Sequence, residues 1–314
     1  MAIFGASGFV GSSLLASPLS LPSTLTLIDP AEPDPAILRT ARRRNIRIDV
    51  RQAQTLRNGA DPGNVDVLLV LAGQTDVDQA LANPALAFDA NGTIAVEVGE
   101  WWRRHPSARV VYLSSDEVLG VSDSPLAEQA PYQPTQPYAA SKATAEMTLR
   151  CYSDTYGLDL ILIRSCNLVG GRQRARKLIP TAVHHLAAGE PVPIFGTGQQ
   201  SREYLAVEDL CNALRLAWQG VLPPGMYNCT SAISFTVLDV IELVGAALGL
   251  SVEHVSVPDR LVHDRAYSMD PSLLHSFGWK SLTSPMEAIS QAAIDLYAAC
   301  RSGEDVTTLP KRRA

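Results

Sequence analysis

Hydrophobic residues in the first half of the chain occur in short continuous runs rather than in strict alternation with polar residues. These runs predict strands at MAIF, TLTLID, IRIDV, VDVLLVLA, ARVVYLSS and LDLILIRSC. Continuous apolar runs of this length are typical of parallel strands that are covered on both faces. Helices are predicted between them, notably over residues 83–105 and 137–157. The repeated units indicate an α/β fold with a Rossmann-like doubly wound parallel sheet, which binds ligands at the carboxyl ends of its strands.

The pattern changes after about residue 166, where Pro, Gly and Arg become more frequent. Helices are predicted over residues 177–191 and 236–249, and short strands over 191–196, 225–230 and 252–258. We therefore expect two domains. Residues 1–168 would form the larger one, to which the chain returns around residues 203–230, and residues 169–314 would form mainly a smaller domain that binds the substrate.

Composition narrows the classes of function. The net charge of -6 makes the chain a poor candidate for binding nucleic acid or an anionic membrane surface. The longest apolar run is too short to span a bilayer, and the first residues do not resemble a signal peptide. The five cysteines are scattered, and there is no HExxH motif, so we expect neither disulfides nor a metal site. A reducing, cytoplasmic location fits this usage best.

A glycine-rich segment, GASGFVG, follows the first predicted strand and opens a helix. Glycine at positions 5, 8 and 11 permits a tight turn, close approach to a diphosphate and close helix–strand packing. Asp29 ends the second strand, where an acid accepts a hydrogen bond from the ribose of NAD and disfavours NADP. These residues predict an NAD site; the alternative is a glycine-rich turn beside a surface aspartate.

Two further groups carry candidate chemistry. Tyr138 and Lys142 of YAASK lie four residues apart, on one face of a predicted helix. A lysine ammonium beside the tyrosine would lower its pKa and let it accept a proton from a sugar hydroxyl. In SSDEVLG, Asp116 and Glu117 follow directly on a buried strand. They are either an acid–base pair or carboxylates satisfied by local backbone amides.

These motifs together resemble those of extended short-chain dehydrogenases/reductases in the NAD-dependent epimerase/dehydratase family, and most of all the dTDP-glucose 4,6-dehydratases. The resemblance covers nearly the whole chain. It includes the glycine motif, Ser115 with the two acids, and the Tyr–Lys pair. It also includes the segments NLVGGRQRARKLIP, GTGQQSREYLAVEDL, DRLVHDRAYSMD and FGWK.

The resemblance implies a nucleotide-sugar 4,6-dehydratase with tightly held NAD. Tyr138, tuned by Lys142 and assisted by Ser115, would remove the O4 proton while C4 gives hydride to NAD. Glu117 would then remove the C5 proton, and Asp116 would protonate the departing hydroxyl at C6. Return of the hydride to C6 would give a 4-keto-6-deoxy sugar. The family also forms homodimers through paired helices, here around residues 91–104 and the helix that carries Tyr138.

The resemblance further implies two sets of contacts. Those with NAD are expected at Gly5, Ser7, Gly8, Phe9, Val10, Gly11, Asp29, Asp49, Val50, Leu71, Ala72, Gly73, Thr75, Asn91, Ser114, Tyr138, Lys142 and Cys166. Those with the nucleotide sugar are expected at Thr75, Ser115, Asp116, Glu117, Tyr138, Asn167, Lys177, Leu178, Pro193, Arg202, Asn228, Arg260, His263, Arg265 and Tyr267.

The chain departs from the family pattern near the sugar and the nicotinamide. Gln74, Asp76 and Gln79 replace an acid, a histidine and an arginine of the family, Leu119 replaces an aromatic residue, and Arg176 replaces an acid. Three alternatives on the same scaffold therefore stay open: a 4-epimerase, a decarboxylase, and an elimination of different regiochemistry. A non-enzymatic NAD sensor is a further alternative. The sequence does not select the nucleotide, and RQRARK is equally compatible with phosphate binding and a solvated surface.

Overall fold

Seven strands among the described residues form one parallel sheet. The structure is a computed structural model that describes residues 1–53, 55–56, 60–173 and 177–302. In spatial order the strands are β10 (Gly225–Cys229), β6 (Leu160–Ser165), β5 (Arg109–Ser115), β4 (Val67–Val70), β1 (Ala2–Phe4), β2 (Thr24–Asp29) and β3 (Arg47–Gln52). The strand order reverses between β1 and β4, so a crevice opens there at the carboxyl ends. The predicted doubly wound parallel sheet is confirmed.

Helices cover both faces of this sheet. They are α1 (Phe9–Ala16), α2 (Pro35–Arg43), α3 (Val77–Ala82), α4 (Pro84–Arg104), α5 (Pro137–Tyr156) and α7 (Val207–Trp218). One core cluster lies under α1, α2 and α7, and a second lies under α4 and α5. Trp101 and Trp102 are buried in the second cluster, so they serve packing. None of the helices in the described ranges combines the length and the apolar character that a bilayer span needs.

The rest of the chain forms two smaller sheets and a third core. One sheet has the order β11 (Ser234–Thr236), β9 (Ser201–Ala206) and β7 (Asn167–Val169), and the other pairs β12 (His254–Val257) with β8 (Val192–Phe195). The remaining helices are α6 (Leu178–Ala188), α8 (Val237–Leu248), α9 (Ser272–Ser276) and α10 (Pro285–Arg301). Helices α6, α8 and α10 pack their apolar faces together. Between β9 and β11 the chain runs back to the large sheet, where it adds α7 and β10.

A buried ion pair joins helix α5 to strand β6. The side chains of Arg164 and Glu146 are 1% and 0% exposed, and their closest N–O distance is 2.7 Å. The Tyr132 hydroxyl also donates to Glu146 at 2.9 Å, and Arg164 donates to the carbonyl of Glu128 at 2.9 Å. The charges are thus paired and hydrogen-bonded, as burial requires.

Removal of one partner should therefore destabilise the fold strongly. We expect Glu146→Ala to lower the free energy of unfolding by about 3–5 kcal/mol, because Arg164 is left buried without a counter-charge. Chemical denaturation measures this. The matched control is Asp49→Ala, which breaks the exposed pair of Asp49 and Arg51 and should cost about 0–1 kcal/mol. If both variants lost the same free energy of unfolding, the buried pair of Glu146 and Arg164 would not be the strongly stabilising contact described above.

Candidate active site

The glycine turn lies against the end of β4. Gly5 has φ +90°, and a Cβ there would lie 2.5 Å from the amide nitrogen of Ala72. A Cβ at Gly11 would lie 2.5 Å from the carbonyl oxygen of Gly5. The carboxylate of Asp29, at the end of β2, accepts from the amide of Ser7 at 3.0 Å. The turn therefore needs glycine at two positions, and Asp29 holds it from the neighbouring strand.

The space beside this turn fits a dinucleotide. A Cβ at Gly8 would meet only the carbonyl oxygen of Gly5, at 3.4 Å, so the outer side of the turn is open. Gly8 is also the N-cap of α1 and has no side-chain capping bond, and Phe9 and Val10 form the first turn of that helix. Amides in a first helical turn bind a diphosphate well. At the end of β5, the buried Ser114 hydroxyl has no hydrogen-bond partner among the described residues. An open cradle and a buried hydroxyl without a partner both suit a bound dinucleotide.

Tyr138 lies at the start of α5. The side chain of Gln136 caps this helix by accepting from the amide of Tyr138 at 2.7 Å. Burial raises the pKa of Tyr138 above its ordinary value, and the charge of Glu117 raises it further. A hydrogen bond with Ser115 acts in the opposite direction. The structure thus brings Ser115, Glu117 and Tyr138 together, as the sequence predicted.

Lys142 has a partner that the sequence analysis missed. Its ammonium donates to the hydroxyl of Tyr112 at 2.8 Å and to the carbonyl of Leu113 at 2.7 Å. It also lies 4.3 Å from the centroid of the Tyr112 ring. Burial lowers the pKa of Lys142 to about 7, and Glu146 opposes this shift. These contacts of Lys142 are with strand β5, and the effect of its charge on the pKa of Tyr138 stays a prediction. Because Tyr112 is two residues before Ser114, strand alternation places both on one face.

Asp116 begins a 3₁₀ helix, Asp116–Leu119, directly after β5. It is 3% exposed, and the Ser115 hydroxyl donates to its carboxylate at 3.0 Å. Burial, followed by the charge of Glu117, raises the pKa of Asp116 to about 7. Asp116 can therefore hold a proton near neutral pH, which is what a general acid requires.

Glu117 lies on the same 3₁₀ helix and faces α5. The side-chain amide of Gln136 donates to one of its carboxylate oxygens. Burial raises the pKa of Glu117, while the positive charges of Arg202 and Lys177 oppose the shift. Within the described residues, the hydrogen bonds shown for the two acids come from the side chains of Ser115 and Gln136. This counts against the alternative in which local backbone amides satisfy them.

The second part of the chain brings further predicted substrate residues to the two acids. The Arg202 guanidinium lies 4.6 Å from the centroid of the Tyr267 ring, and its charge lowers the pKa of Asp116 and Glu117. Lys177 precedes α6, which begins at Leu178, and donates to the carbonyl of Thr75 at 2.9 Å. Side chains from both parts of the chain therefore meet around the acid pair.

Other predicted substrate residues have partners within the protein. Asn228 is completely buried and donates to the carbonyls of Leu126 and Asp270, at 2.9 and 3.3 Å. It therefore joins β10 to neighbouring segments, and its contact with substrate stays a prediction. The remaining members of this set are distributed as follows: Arg260 pairs with Asp78, His263 with Asp259 and Arg265 with Asp123, Asn167 hydrogen-bonds Tyr204, and Pro193 lies in β8 opposite Val255.

Two of the predicted cofactor residues lie within strand β3. Asp49 and Val50 pair with Thr26 and Leu27, in the middle of β2, and Gln52 pairs with Asp29 at the carboxyl end of that strand. Asp49 also forms an ion pair with Arg51 at 2.8 Å. The contacts of Asp49 and Val50 with the cofactor stay a prediction.

Asn91, another predicted cofactor residue, has three hydrogen bonds within the protein. Its side chain accepts from the amide of Gln74 at 3.0 Å and donates to the carbonyl of Gln74 at 3.2 Å and the hydroxyl of Ser141 at 2.8 Å. It thus holds the segment after β4 in place. Gly73 belongs to this segment, and a Cβ there would lie 2.7 Å from the Asn91 oxygen.

The last predicted cofactor residues lie near strand ends. Leu71 and Ala72 follow β4, and their amides donate to the carbonyl of Phe4 at 2.8 and 2.9 Å. Cys166 follows β6 and is buried, with a raised pKa. Residues 174–176 of the basic segment, including the substitution at Arg176, lie outside the described residues.

Comparison with known proteins agrees with this site. The model of the NAD dependent epimerase/dehydratase family matches residues 1–230. The chain is 31% identical over 259 residues to the dTDP-glucose 4,6-dehydratase of Haemophilus influenzae, covering 74% of this chain and 77% of that protein. It also resembles the crystal structure of DesIV, a dTDP-glucose 4,6-dehydratase from Streptomyces venezuelae solved with NAD bound, with a TM-score of 0.88 and 26% identity over 97% of this chain and 98% of that one.

An epimerase shares the fold as well. The UDP-glucose 4-epimerase of Thermus thermophilus has a TM-score of 0.84 and 23% identity over 95% of this chain and 99% of that one. Identity at this level shows the fold and does not separate the two activities. The family match, the 31% identity and the glycine turn with its strand–helix setting agree. The chain therefore belongs to the NAD dependent epimerase/dehydratase family.

Proposed function

We propose that the chain is an NAD-dependent nucleotide-sugar 4,6-dehydratase, which converts a dTDP-glucose-like substrate to its 4-keto-6-deoxy product. The observation that carries this proposal is the buried acid pair beside Ser115 and Tyr138, with Asp116 raised to a pKa of about 7. A 4-epimerase needs no second acid–base pair, because it only oxidises and reduces C4. An elimination needs both a base and an acid.

NAD, when bound, would accept hydride from C4 and later return it to C6. The glycine turn, the first turn of α1 and Asp29 would hold its adenosine diphosphate part. Ser114, at the end of β5, and Lys142 of α5 would hold its nicotinamide part. Tyr138, in its ionised phenolate form, would take the proton from O4. Because burial raises the pKa of Tyr138, this step depends on positive charge brought by the bound cofactor.

Glu117 and Asp116 would perform the elimination. A ketone at C4 acidifies the C5–H bond, and Glu117 would remove that proton. Asp116, which holds a proton up to a pH of about 7, would give it to the hydroxyl that leaves C6. The two acids are adjacent on the 3₁₀ helix and can therefore reach neighbouring carbons.

Residues from the second part of the chain would bind the nucleotide. Arg202 and Lys177 supply positive charge beside the acid pair, and Tyr267 provides the aromatic surface under Arg202. This arrangement supports the predicted division into an NAD-binding part, residues 1–168, and a substrate part, residues 169–314. The proposal also includes a cytoplasmic homodimer, in which helices α4 and α5 form the interface between the two protomers.

The test is incubation of the protein with dTDP-glucose, UDP-glucose and UDP-N-acetylglucosamine in deuterated water, followed by mass spectrometry and NMR. Loss of water with deuterium at C5 is the expected result and identifies the nucleotide. Inversion at C4 without loss of water would overturn the roles of Asp116 and Glu117 and assign the chain to the epimerases. Binding of NAD without turnover of any donor would favour the sensor alternative.

Tyr112 provides a separate prediction about the same reaction. Tyr112→Phe keeps the ring under Lys142 but removes the hydroxyl that accepts from its ammonium. Hydrogen bonds to charged groups contribute about 1.5–3 kcal/mol, so the charged form of Lys142 should become harder to maintain. We expect turnover at neutral pH to fall about tenfold, with recovery toward lower pH, where Lys142 is protonated again. A pH–rate profile measures this, and a uniform loss at every pH would contradict it.

A further inference from the structure

Asp264 is a buried carboxylate within the segment DRLVHDRAYSMD to which neither the predicted contacts nor the proposed chemistry gives a role. It lies in the segment of residues 258–271 that joins β12 to α9, which we call the strap. Asp264 is 8% exposed, and the hydroxyls of Thr135 and Tyr267 both donate to the same oxygen of its carboxylate. A buried carboxylate with two hydroxyl donors is fixed in position, because each bond restricts its rotation.

The hydrogen bond between Thr135 and Asp264 connects the strap to the acid pair through the start of α5. Thr135 precedes Gln136, whose side chain donates to Glu117 and accepts from the amide of Tyr138. A bond that fixes Thr135 therefore fixes the residue that orients Glu117. This contact joins Thr135 to Asp264, which lies 129 residues later in the sequence.

The hydrogen bond between Tyr267 and Asp264 connects the strap to the positive charge of Arg202. Tyr267 carries Arg202 on its ring at 4.6 Å, and Arg202 lowers the pKa of both Asp116 and Glu117. A fixed Tyr267 hydroxyl keeps the ring, and hence Arg202, close to the acids.

We propose that Asp264 is a positioning residue for Glu117: it orients that carboxylate through Thr135 and Tyr267 and places a negative charge near it. The proposal rests on the proposed function, in which Glu117 is the C5 base.

The groups that face Glu117 are Asp116 on its own helix, Tyr138 and Gln136 from α5, Lys177 before α6, Arg202 from β9, and Asp264 with Tyr267 from the strap. Arg202 and Lys177 favour the charged form of Glu117, whereas Asp264 disfavours it. Asp264 therefore keeps Glu117 a stronger base than the two cations alone would allow.

The test is a pH titration of Glu117 in the full chain by carbon-13 NMR, with glutamate labelled at the carboxyl carbon. The signal of Glu117 is assigned by its loss in Glu117→Gln. Asp264→Asn should move the titration of Glu117 to lower pH, because a negative charge is removed. Asp123→Asn is the matched control: it also releases the strap, by breaking the exposed pair with Arg265, but it should leave the titration unchanged. If Asp264→Asn does not fold, Asp264→Ser keeps a hydroxyl between the two donors and should show the same direction.

Kinetics give a second readout. In Asp264→Asn, single-turnover incorporation of deuterium at C5 should fall about tenfold with little change in KM, because a weaker base removes the proton more slowly. An unchanged titration of Glu117 in the Asp264 variants would overturn the proposal, as would a rise in KM without a change in the rate of exchange. A wild-type chain that exchanges no C5 proton would overturn the proposed function instead, while the titration would still decide the role of Asp264.

Discussion

Tyr138→Phe should reduce turnover by about 10³-fold while both NAD and the nucleotide sugar still bind. The substitution removes only the hydroxyl, which hydrogen-bonds Ser115. General acid–base groups typically contribute 10²–10⁴-fold, and the O4 proton has no comparable acceptor once this hydroxyl is gone. Because C4 cannot lose hydride while O4 keeps its proton, every later step is prevented too.

The measurement is the absorbance of reduced nicotinamide in a single turnover, together with calorimetric titration of the nucleotide sugar. Tyr204→Phe is a matched control, since Tyr204 is another buried tyrosine, with a pKa raised by burial to about 12. We expect it to keep most of the activity. A Tyr138→Phe variant that still oxidises C4 at the wild-type rate would show that another group accepts the proton.

Much of the fold and the centre of the site could be predicted from local patterns. Runs such as VVYLSS and the segment YAASK define a strand and a helix by themselves, and both occur in the structure as β5 and α5. The same holds for the glycine turn, because Gly5 and Gly11 are required by contacts within their own strand–turn–helix unit. Chemistry that lies within one such unit is visible in the sequence.

Contacts between distant segments were not visible. The sequence predicts only that Tyr112 is a core residue of β5, whereas the structure shows that the Lys142 ammonium lies over its ring. Asn228 looks like a polar residue at a strand end, yet its bonds are to carbonyls 102 and 42 residues away. The register of β3 was not visible either, because only its pairing with β2 shows that Asp49 lies opposite Thr26 and Gln52 opposite Asp29. Tertiary pairing decides whether such side chains face ligand or protein.

Substitution of the two acids should separate the steps of the reaction. We expect Glu117→Gln to oxidise C4 but to lose the exchange of the C5 proton with solvent, with overall turnover lower by roughly 10²–10⁴-fold. Asp116→Asn should keep the exchange at C5 but fail to expel the C6 hydroxyl, because an amide cannot supply the proton. Each variant is thus the control for the other, since each should preserve the step that the other loses.

The pH dependence follows from the same assignment. Asp116 acts when protonated, and burial and the charge of Glu117 raise its pKa to about 7, so turnover should decline as the pH rises through that value. Glu117 acts when ionised, so turnover should also decline on the acid side, as the pH falls through its raised pKa. The profile of kcat/KM should therefore be bell-shaped in the wild type. In Asp116→Asn, the rate of C5 exchange should keep the decline on the acid side, because that limb reports the ionisation of Glu117. Loss of the acid limb from C5 exchange in that variant would mean that a group other than Glu117 removes the C5 proton.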